Sequence, residues 1–373
     1  MSHALRLLFI VPRFGSVHRG VEAFVTELVS RMDTSRYAVT VLSGPHDSEI
    51  PGVHFQKGRL LARERLAWLD RLPWLCRLLR PLGLGGAADI ETLSLLYHYR
   101  KYWSPSAFDL VVPLAGSWSY RFASKAFPEA RLVGIGQAGP VPQDLALSDI
   151  FVALTPHDEQ RANQMRPGMP TCIIPNGVDT GRFAPVPMGA SRRGRTRRVI
   201  LCAAALVPDK RHDLLFNAVM RMPGHVWVKC VGAGPHRAVL AQHPLAKAGR
   251  VEFCQHTFYE MPEVYRGADV FSLASPAEAF GIVFVEAMAA GLPVVAHDGP
   301  RQRYVVDDGG LLCDVHDSQA YARALESVLD VAPSTNARTQ SMKFDWRKIA
   351  AKYDKLFYSL YPGVEPVTNE RSK

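Results

Sequence analysis

The stretch Ser275-Pro-Ala-Glu278-Ala-Phe-Gly281-Ile-Val-Phe-Val-Glu286-Ala-Met-Ala-Ala-Gly291-Leu-Pro293 sets two carboxylates eight residues apart around the start of a helix. Gly291 and Pro293 end that helix. With Glu278 in the preceding loop and Glu286 about two turns along, the rise separates them by roughly 8–12 Å. That is too far to pinch one water or one metal ion. It suits two hydroxyl-bearing ends of an extended ligand whose anionic middle lies on the helix N-terminus. There the N–H groups of Gly281, Ile282 and Val283, with the helix dipole, favour a phosphate. A nucleotide sugar has this layout: sugar, diphosphate, ribose. Glu286 lies between Val285 and Ala287 in a mostly apolar helix, so its carboxylate needs a partner.

Outward from this stretch, short apolar runs alternate with helical segments. Around it they are 199–203, 227–231, 251–254, 270–273 and 293–296. Earlier in the chain they are 5–11, 39–42, 110–113, 131–135 and 150–154. Near-continuous apolar runs suit parallel sheets buried on both faces. Between the two series lie Asn176-Gly-Val-Asp179 and the Pro- and Arg-rich residues 184–198, which read as a linker. Two such series predict an α/β protein with two Rossmann-like, doubly wound parallel-sheet domains facing each other across a cleft, with ligands beyond the carboxyl ends of the strands. The expected boundaries are 1–182 and 183–344. A last helix, 345–361, carries Trp346, Ile349, Tyr353, Leu356, Phe357 and Leu360 on one side, and 362–373 is expected to be a flexible tail.

At 373 residues, 47% hydrophobic and 21% charged, the chain has the length and composition of a two-domain folded protein. No window is long and apolar enough to span a bilayer, and the start lacks the features of a signal peptide. Six cysteines fall singly, mostly inside apolar runs, which reads as buried reduced thiols and a cytoplasmic protein. The net charge of +9 is uneven: residues 57–103 hold nine Lys/Arg against four Asp/Glu, and 191–198 hold five Arg. Such an excess either attracts an anionic partner or forms a solvated face. Residues 59–82 mix Leu and Trp with Arg, so a helix there would either contact an anionic membrane peripherally or pack on its own domain. Nucleic acid is not expected, since the basic runs lack aromatics interleaved on a β face. No His/Cys/carboxylate cluster has metal spacing.

The opening stretch resembles the E-x7-E signature of the retaining glycosyltransferases of family 4, which have the two-domain GT-B fold. The resemblance covers nearly the whole chain. Pro175-Asn-Gly-Val-Asp179 with Arg182-Phe183 resembles that family's inter-domain motif, and Val207-Pro-Asp-Lys210-Arg-His-Asp213 its phosphate-contacting segment. Val231-Gly-Ala-Gly-Pro235 is similar to its glycine turn after a strand, which puts Gly232 near the donor. The resemblance implies an N-terminal acceptor domain, a C-terminal donor domain and a last helix that crosses back. It also implies that Glu278, with the backbone at Ala279, Phe280 and Gly281, holds the donor sugar, and that Glu286 binds the ribose hydroxyls. Lys210 would stabilise the diphosphate leaving group. Gly20, after the first strand, would let backbone approach the pyrophosphate, or is an ordinary turn glycine. Transfer would retain the anomeric configuration by front-face attack, with no metal and no cofactor beyond the nucleotide-sugar substrate.

Two departures stand out. Where the family carries an Arg that grips the diphosphate, this chain has Ala205; Arg211 either compensates or is a solvated helix-start residue. Where the family often places a His in the first domain, this chain has Gln137, which can donate a hydrogen bond but carries no charge. His18, beside the Gly20 loop, is the remaining candidate near donor or acceptor. The expected function is a hexosyl-type transfer from a UDP- or GDP-sugar to a saccharide or lipid-linked acceptor of cell-envelope polysaccharide synthesis. The alternatives are a nucleotide-sugar epimerase on the same fold, or a degenerate module that binds an anion or lipid without catalysis.

Overall fold

The computed structural model describes residues 4–15, 20–66, 68, 72, 74, 77–78, 86–99, 103–185, 196–329 and 335–361. The chain divides into two units, Met1–Ile174 with Ile349–Lys373, and Pro175–Lys348.

The first unit is built on a seven-stranded parallel sheet. Its strands are β1 (Leu5–Ile10), β2 (Tyr37–Ser43), β3 (Val53–Lys57), β4 (Leu110–Pro113), β5 (Arg131–Ile135), β6 (Ile150–Ala153) and β7 (Thr171–Ile173), in the order β3-β2-β1-β4-β5-β6-β7. In β1, Leu7, Leu8, Phe9 and Ile10 are all buried, as a central parallel strand covered on both faces requires. Phe9 lies in register with Val41 on one side and Val112 on the other. The helix Gly20–Val29 buries Phe24, Val25, Leu28 and Val29, the stripe its spacing predicts. Tyr353 meets Phe24 edge-on, ring centroids 5.6 Å apart, and Phe357 meets Tyr37 at 6.4 Å, so the last helix, Trp346–Ser359, packs these two rings on this unit from Ile349 onward.

The second unit holds a six-stranded parallel sheet: β8 (Arg198–Ala203), β9 (Val226–Val231), β10 (Val251–Cys254), β11 (Val270–Leu273), β12 (Val294–His297) and β13 (Gly310–Cys313), ordered β10-β9-β8-β11-β12-β13. Both sheets are doubly wound, as the alternating pattern predicts. The strand order reverses between β8 and β11, and ligands of such sheets bind beyond the strand ends at that crevice. All ten expected strands are present. The three the apolar runs did not mark, β3, β7 and β13, are sheet edges. Their burial is only partial, so their sequences need no continuous apolar run.

One expectation is corrected. Residues 176–179, read as part of a linker, are built into the second unit: Asn176 and Val178 are buried, as are Thr180 and Phe183 just after them. Val178 N–H donates to the Phe344 carbonyl at 2.8 Å, Trp346 N–H donates back to Val178 at 3.1 Å, and Thr180 bonds Asp345. A Cβ on Gly177 would lie 2.5 Å from the Trp346 ring, which explains the glycine. The chain passes between units after Ile174 because these contacts tie residues 176–183 to the second unit. In the basic stretch, the described part is a short helix, Arg63–Leu66, whose Leu66 packs with Ala87. Trp68, Trp74 and Leu78 are exposed by 55, 64 and 67%. The rest of 59–82, the Arg-rich residues 186–195 and the tail 362–373 lie outside the described residues.

Candidate active site in the second unit

Three segments converge at the carboxyl ends of β8, β9 and β11. The first follows β8, where Leu206 N–H donates to the Ala233 carbonyl (2.9 Å) and His236 N–H donates back to Leu206 (3.0 Å). The second is the glycine turn after β9. A Cβ at Gly232 (φ +148°) would lie 2.1 Å from the Ala204 carbonyl oxygen, and one at Gly234 2.2 Å from that of Leu206. These glycines are therefore demanded by backbone packed on backbone, which holds the strand-end loop in place. The third is the loop after β11. Ser275 Oγ donates to the Asp209 carbonyl at 3.2 Å, and Gln302 Nε2 donates to the Ser275 carbonyl at 3.3 Å.

This bracing brings Lys210 to Glu278, whose side chains form an ion pair. Glu278 is 9% exposed and the Lys210 side chain 29%. A carboxylate so buried is held by its charged partner. Lys210 ends a 3-10 turn, Pro208–Lys210, and Arg211 follows at φ +49° before the helix His212–Met220.

Beyond Glu278 the chain enters the helix Ile282–Ala289 through Gly281, at φ +78°. A Cβ there would meet the Phe284 ring at 2.4 Å, so the helix entry accepts only glycine without strain. Ile282 and Val283 are the first helical residues and their N–H groups have no acceptor one turn back, the arrangement expected for anion binding. Phe280 is buried with its ring 5.5 Å from Phe344, and Ala279 is half-buried. At the far end Gly291 N–H donates to Met288 and Leu292 N–H to Ala287, a Schellman stop with Gly291 at φ +75°.

Glu286 is the fifth residue of this helix, little more than one turn in, because Ala279–Gly281 still belong to the loop. Its carboxylate has the partner the apolar surroundings demand: Tyr265 Oη donates to Glu286 Oε2 at 2.7 Å. Tyr265 is fully buried, and burial followed by the Glu286 charge pushes its phenol well above the usual range. Nothing periodic in the sequence marks Tyr265; a phenol inside a buried turn, needing a partner, is the one clue.

The remaining sequence candidates separate. Arg211 gives its guanidinium to Asp213, Nε–Oδ1 3.1 Å and Nη2–Oδ2 3.0 Å, and this bond raises its pKa. Burial works to raise Asp213, but the Arg211 hydrogen bond and charge outweigh it and hold the carboxyl low. Ala205 is exposed. Gly20 opens its helix and Gln137 follows β5, where its N–H donates to Ile135 at 2.8 Å; both belong to the first unit. His18 lies outside the described residues. Among the described residues no group of three metal-ligating side chains is placed to hold an ion.

Comparison with known proteins bears on the fold and on the second unit. Residues 197–330 match the family described as Glycosyl transferases group 1. The D-inositol 3-phosphate glycosyltransferase of Geodermatophilus obscurus is 31% identical over 244 residues, 59% of this chain and 53% of that protein. The chain thus spans about half the length of that curated relative. The lipopolysaccharide core biosynthesis glycosyltransferase LpsE of Rhizobium meliloti is 28% identical over 262 residues, 68% of this chain and 70% of that one. Among solved structures, sucrose-phosphate synthase from Thermosynechococcus elongatus superposes with a TM-score of 0.74 at 19% identity, covering 96% of this chain and 99% of that one. HepE of Anabaena, solved in complex with UDP-glucose, gives 0.72 at 19% identity, covering 95% and 100%. The two Rossmann-like sheets and the structural likenesses show the GT-B fold, and residues 197–330 carry the likeness to the group 1 glycosyl transferases.

Proposed function

We propose that this chain transfers a hexosyl-type sugar from a UDP- or GDP-linked donor to a saccharide or lipid-linked acceptor of the cell envelope, with retention at the anomeric carbon. The observation that carries the reading is the Lys210–Glu278 pair beside the glycine-started N-terminus of Ile282–Ala289, with Glu286 one turn further along. The second unit would bind the donor and the first the acceptor. In this reading the diphosphate lies on the N–H groups of Ile282 and Val283, Lys210 neutralises it, Glu278 and the backbone of Ala279–Gly281 hold the sugar, and Glu286 holds the ribose. The bond from the anomeric carbon to the diphosphate oxygen breaks and the acceptor oxygen bonds to that carbon from the same face. The acceptor's proton passes to the departing phosphate oxygen. Charge stabilisation comes from the ammonium and the helix end, so the step asks for no metal.

Thermal melting with UDP-, GDP-, ADP- and TDP-sugars tests the donor site, since a ligand that binds only the folded state raises the melting point. A UDP- or GDP-sugar is expected to stabilise the wild type and to lose most of that effect in Glu286→Ala; product anomeric configuration then reads retention. If no donor stabilises the protein, the non-catalytic module becomes the better reading, in keeping with Ala205 and the engagement of Arg211 by Asp213.

A lipid-linked acceptor accords with the exposed Trp68, Trp74 and Leu78 beside the exposed Arg77, which we assign to peripheral contact with the anionic inner face of a membrane. The protein is expected to sediment with vesicles containing anionic lipid and not with zwitterionic ones. A Trp68→Ser/Trp74→Ser variant should stay largely in the supernatant. Equal sedimentation of variant and wild type would remove the assignment.

A further inference from the structure

Tyr265 sits in the last turn of the helix Met261–Arg266 and is fully buried. Its ring packs edge-on against Phe183 at 5.7 Å and tilted against Phe271 at 5.8 Å. A phenylalanine would fill this space equally well, so the hydroxyl calls for its own explanation. A buried phenol must find an acceptor, and this one donates to Glu286 Oε2 at 2.7 Å. The helix that carries it is itself pinned. Arg266, the next residue, donates to the carbonyls of Arg182 (3.0 Å) and Ala184 (3.1 Å).

We propose that Tyr265 is a positioning residue: its hydroxyl sets the rotation of the Glu286 carboxylate so that both oxygens meet the ribose hydroxyls of the bound nucleotide. This rests on the donor-site reading above. A glutamate side chain has three rotatable bonds, and binding two vicinal hydroxyls needs one of its many orientations. A fixed donor on Oε2 selects that orientation before the ligand arrives and removes its ordering cost from binding. The phenol serves throughout the working pH range, because burial keeps it protonated.

Tyr265→Phe keeps the ring and deletes the hydroxyl. With UDP and GDP as probes, measured by calorimetry, it is expected to weaken the better-binding nucleotide by about tenfold, the size of a hydrogen bond to a charged group. Three further readouts separate positioning from packing. The 2′,3′-dideoxy form of the same nucleotide should bind variant and wild type equally, because it offers Glu286 nothing to hold. Adding Tyr265→Phe to Glu286→Ala should cost nothing more, as residues acting as one unit are not additive. The unliganded melting temperature should fall only modestly, because Glu286 is half-buried and its carboxylate can turn to solvent. Unchanged UDP and GDP affinity in Tyr265→Phe overturns the inference alone and leaves the donor site standing. Equal weakening of the hydroxylated and dideoxy nucleotides also overturns it, in favour of a packing role. A wild type that binds neither nucleotide overturns the donor site and this inference together.

Discussion

Lys210→Met is expected to lower kcat by about 10²–10³-fold, the usual cost of removing one group that stabilises charge developing in a transition state. Methionine keeps most of the length and loses the ammonium. The change also leaves the Glu278 carboxylate, 9% exposed, without its cation. That adds a destabilisation of about 1–3 kcal/mol, the cost of an unsatisfied buried acceptor, with partial relief because Lys210 is itself partly exposed. The two effects separate in the double variant Lys210→Met/Glu278→Gln. An amide there is neutral, so melting temperature should largely recover while activity stays low. Because Glu278→Gln touches the proposed sugar site, activity is compared with that single variant: a double variant as active as Glu278→Gln alone would show that Lys210 serves only to hold Glu278.

The second large effect is expected from Gly281→Ala. At φ +78° an alanine costs about 1–2 kcal/mol. Its Cβ would also lie 2.4 Å from a Phe284 ring that is fully buried and edge-on to Phe271 at 5.9 Å. The ring cannot retreat without opening the core, a further cost of about 1–3 kcal/mol. The helix start would therefore shift, and with it the N–H groups of Ile282 and Val283. Nucleotide-sugar binding should fall by about 100-fold or more, as misplacement by an ångström does in preorganised sites. Gly291→Ala is the control. Gly291 has nearly the same conformation, φ +75°, at the other end of the same helix. It should lose stability by about 1–2 kcal/mol for the same conformational reason while keeping donor binding. Equal loss of binding in both would mean that general destabilisation, not the helix entry, is responsible.

Much of this protein is legible in its sequence, and the reason differs by level. Interior strands such as β1 and β11 are buried on both faces, so burial writes an unbroken apolar run into the sequence. Edge strands are half wet and need carry no such mark: β10 carries one, while β3, β7 and β13 emerge only when their neighbours' ladders are seen. The carboxylates of the Ser275–Pro293 stretch are visible for a local reason: helix start, helix stop and the charges between them lie within nineteen residues.

Contacts between residues far apart in sequence were not legible in this way. Lys210 and Glu278 are 68 residues apart, and Tyr265 and Glu286 are 21, yet each pair is joined by one hydrogen bond. The pattern of residues 176–183 marks a break between two series, and only the bonds from Val178 to Phe344 and Trp346 show it built into the second unit. The same holds for Arg211: its neighbours in sequence left it open whether it grips a ligand, and the folded turn gives it to Asp213. The sequence by itself determined the two doubly wound sheets and the helix end with its carboxylates, because periodicity and caps are properties of neighbouring residues. Only the tertiary structure decided which charges meet and which phenol orients Glu286, because those contacts depend on where separate strand ends come to rest.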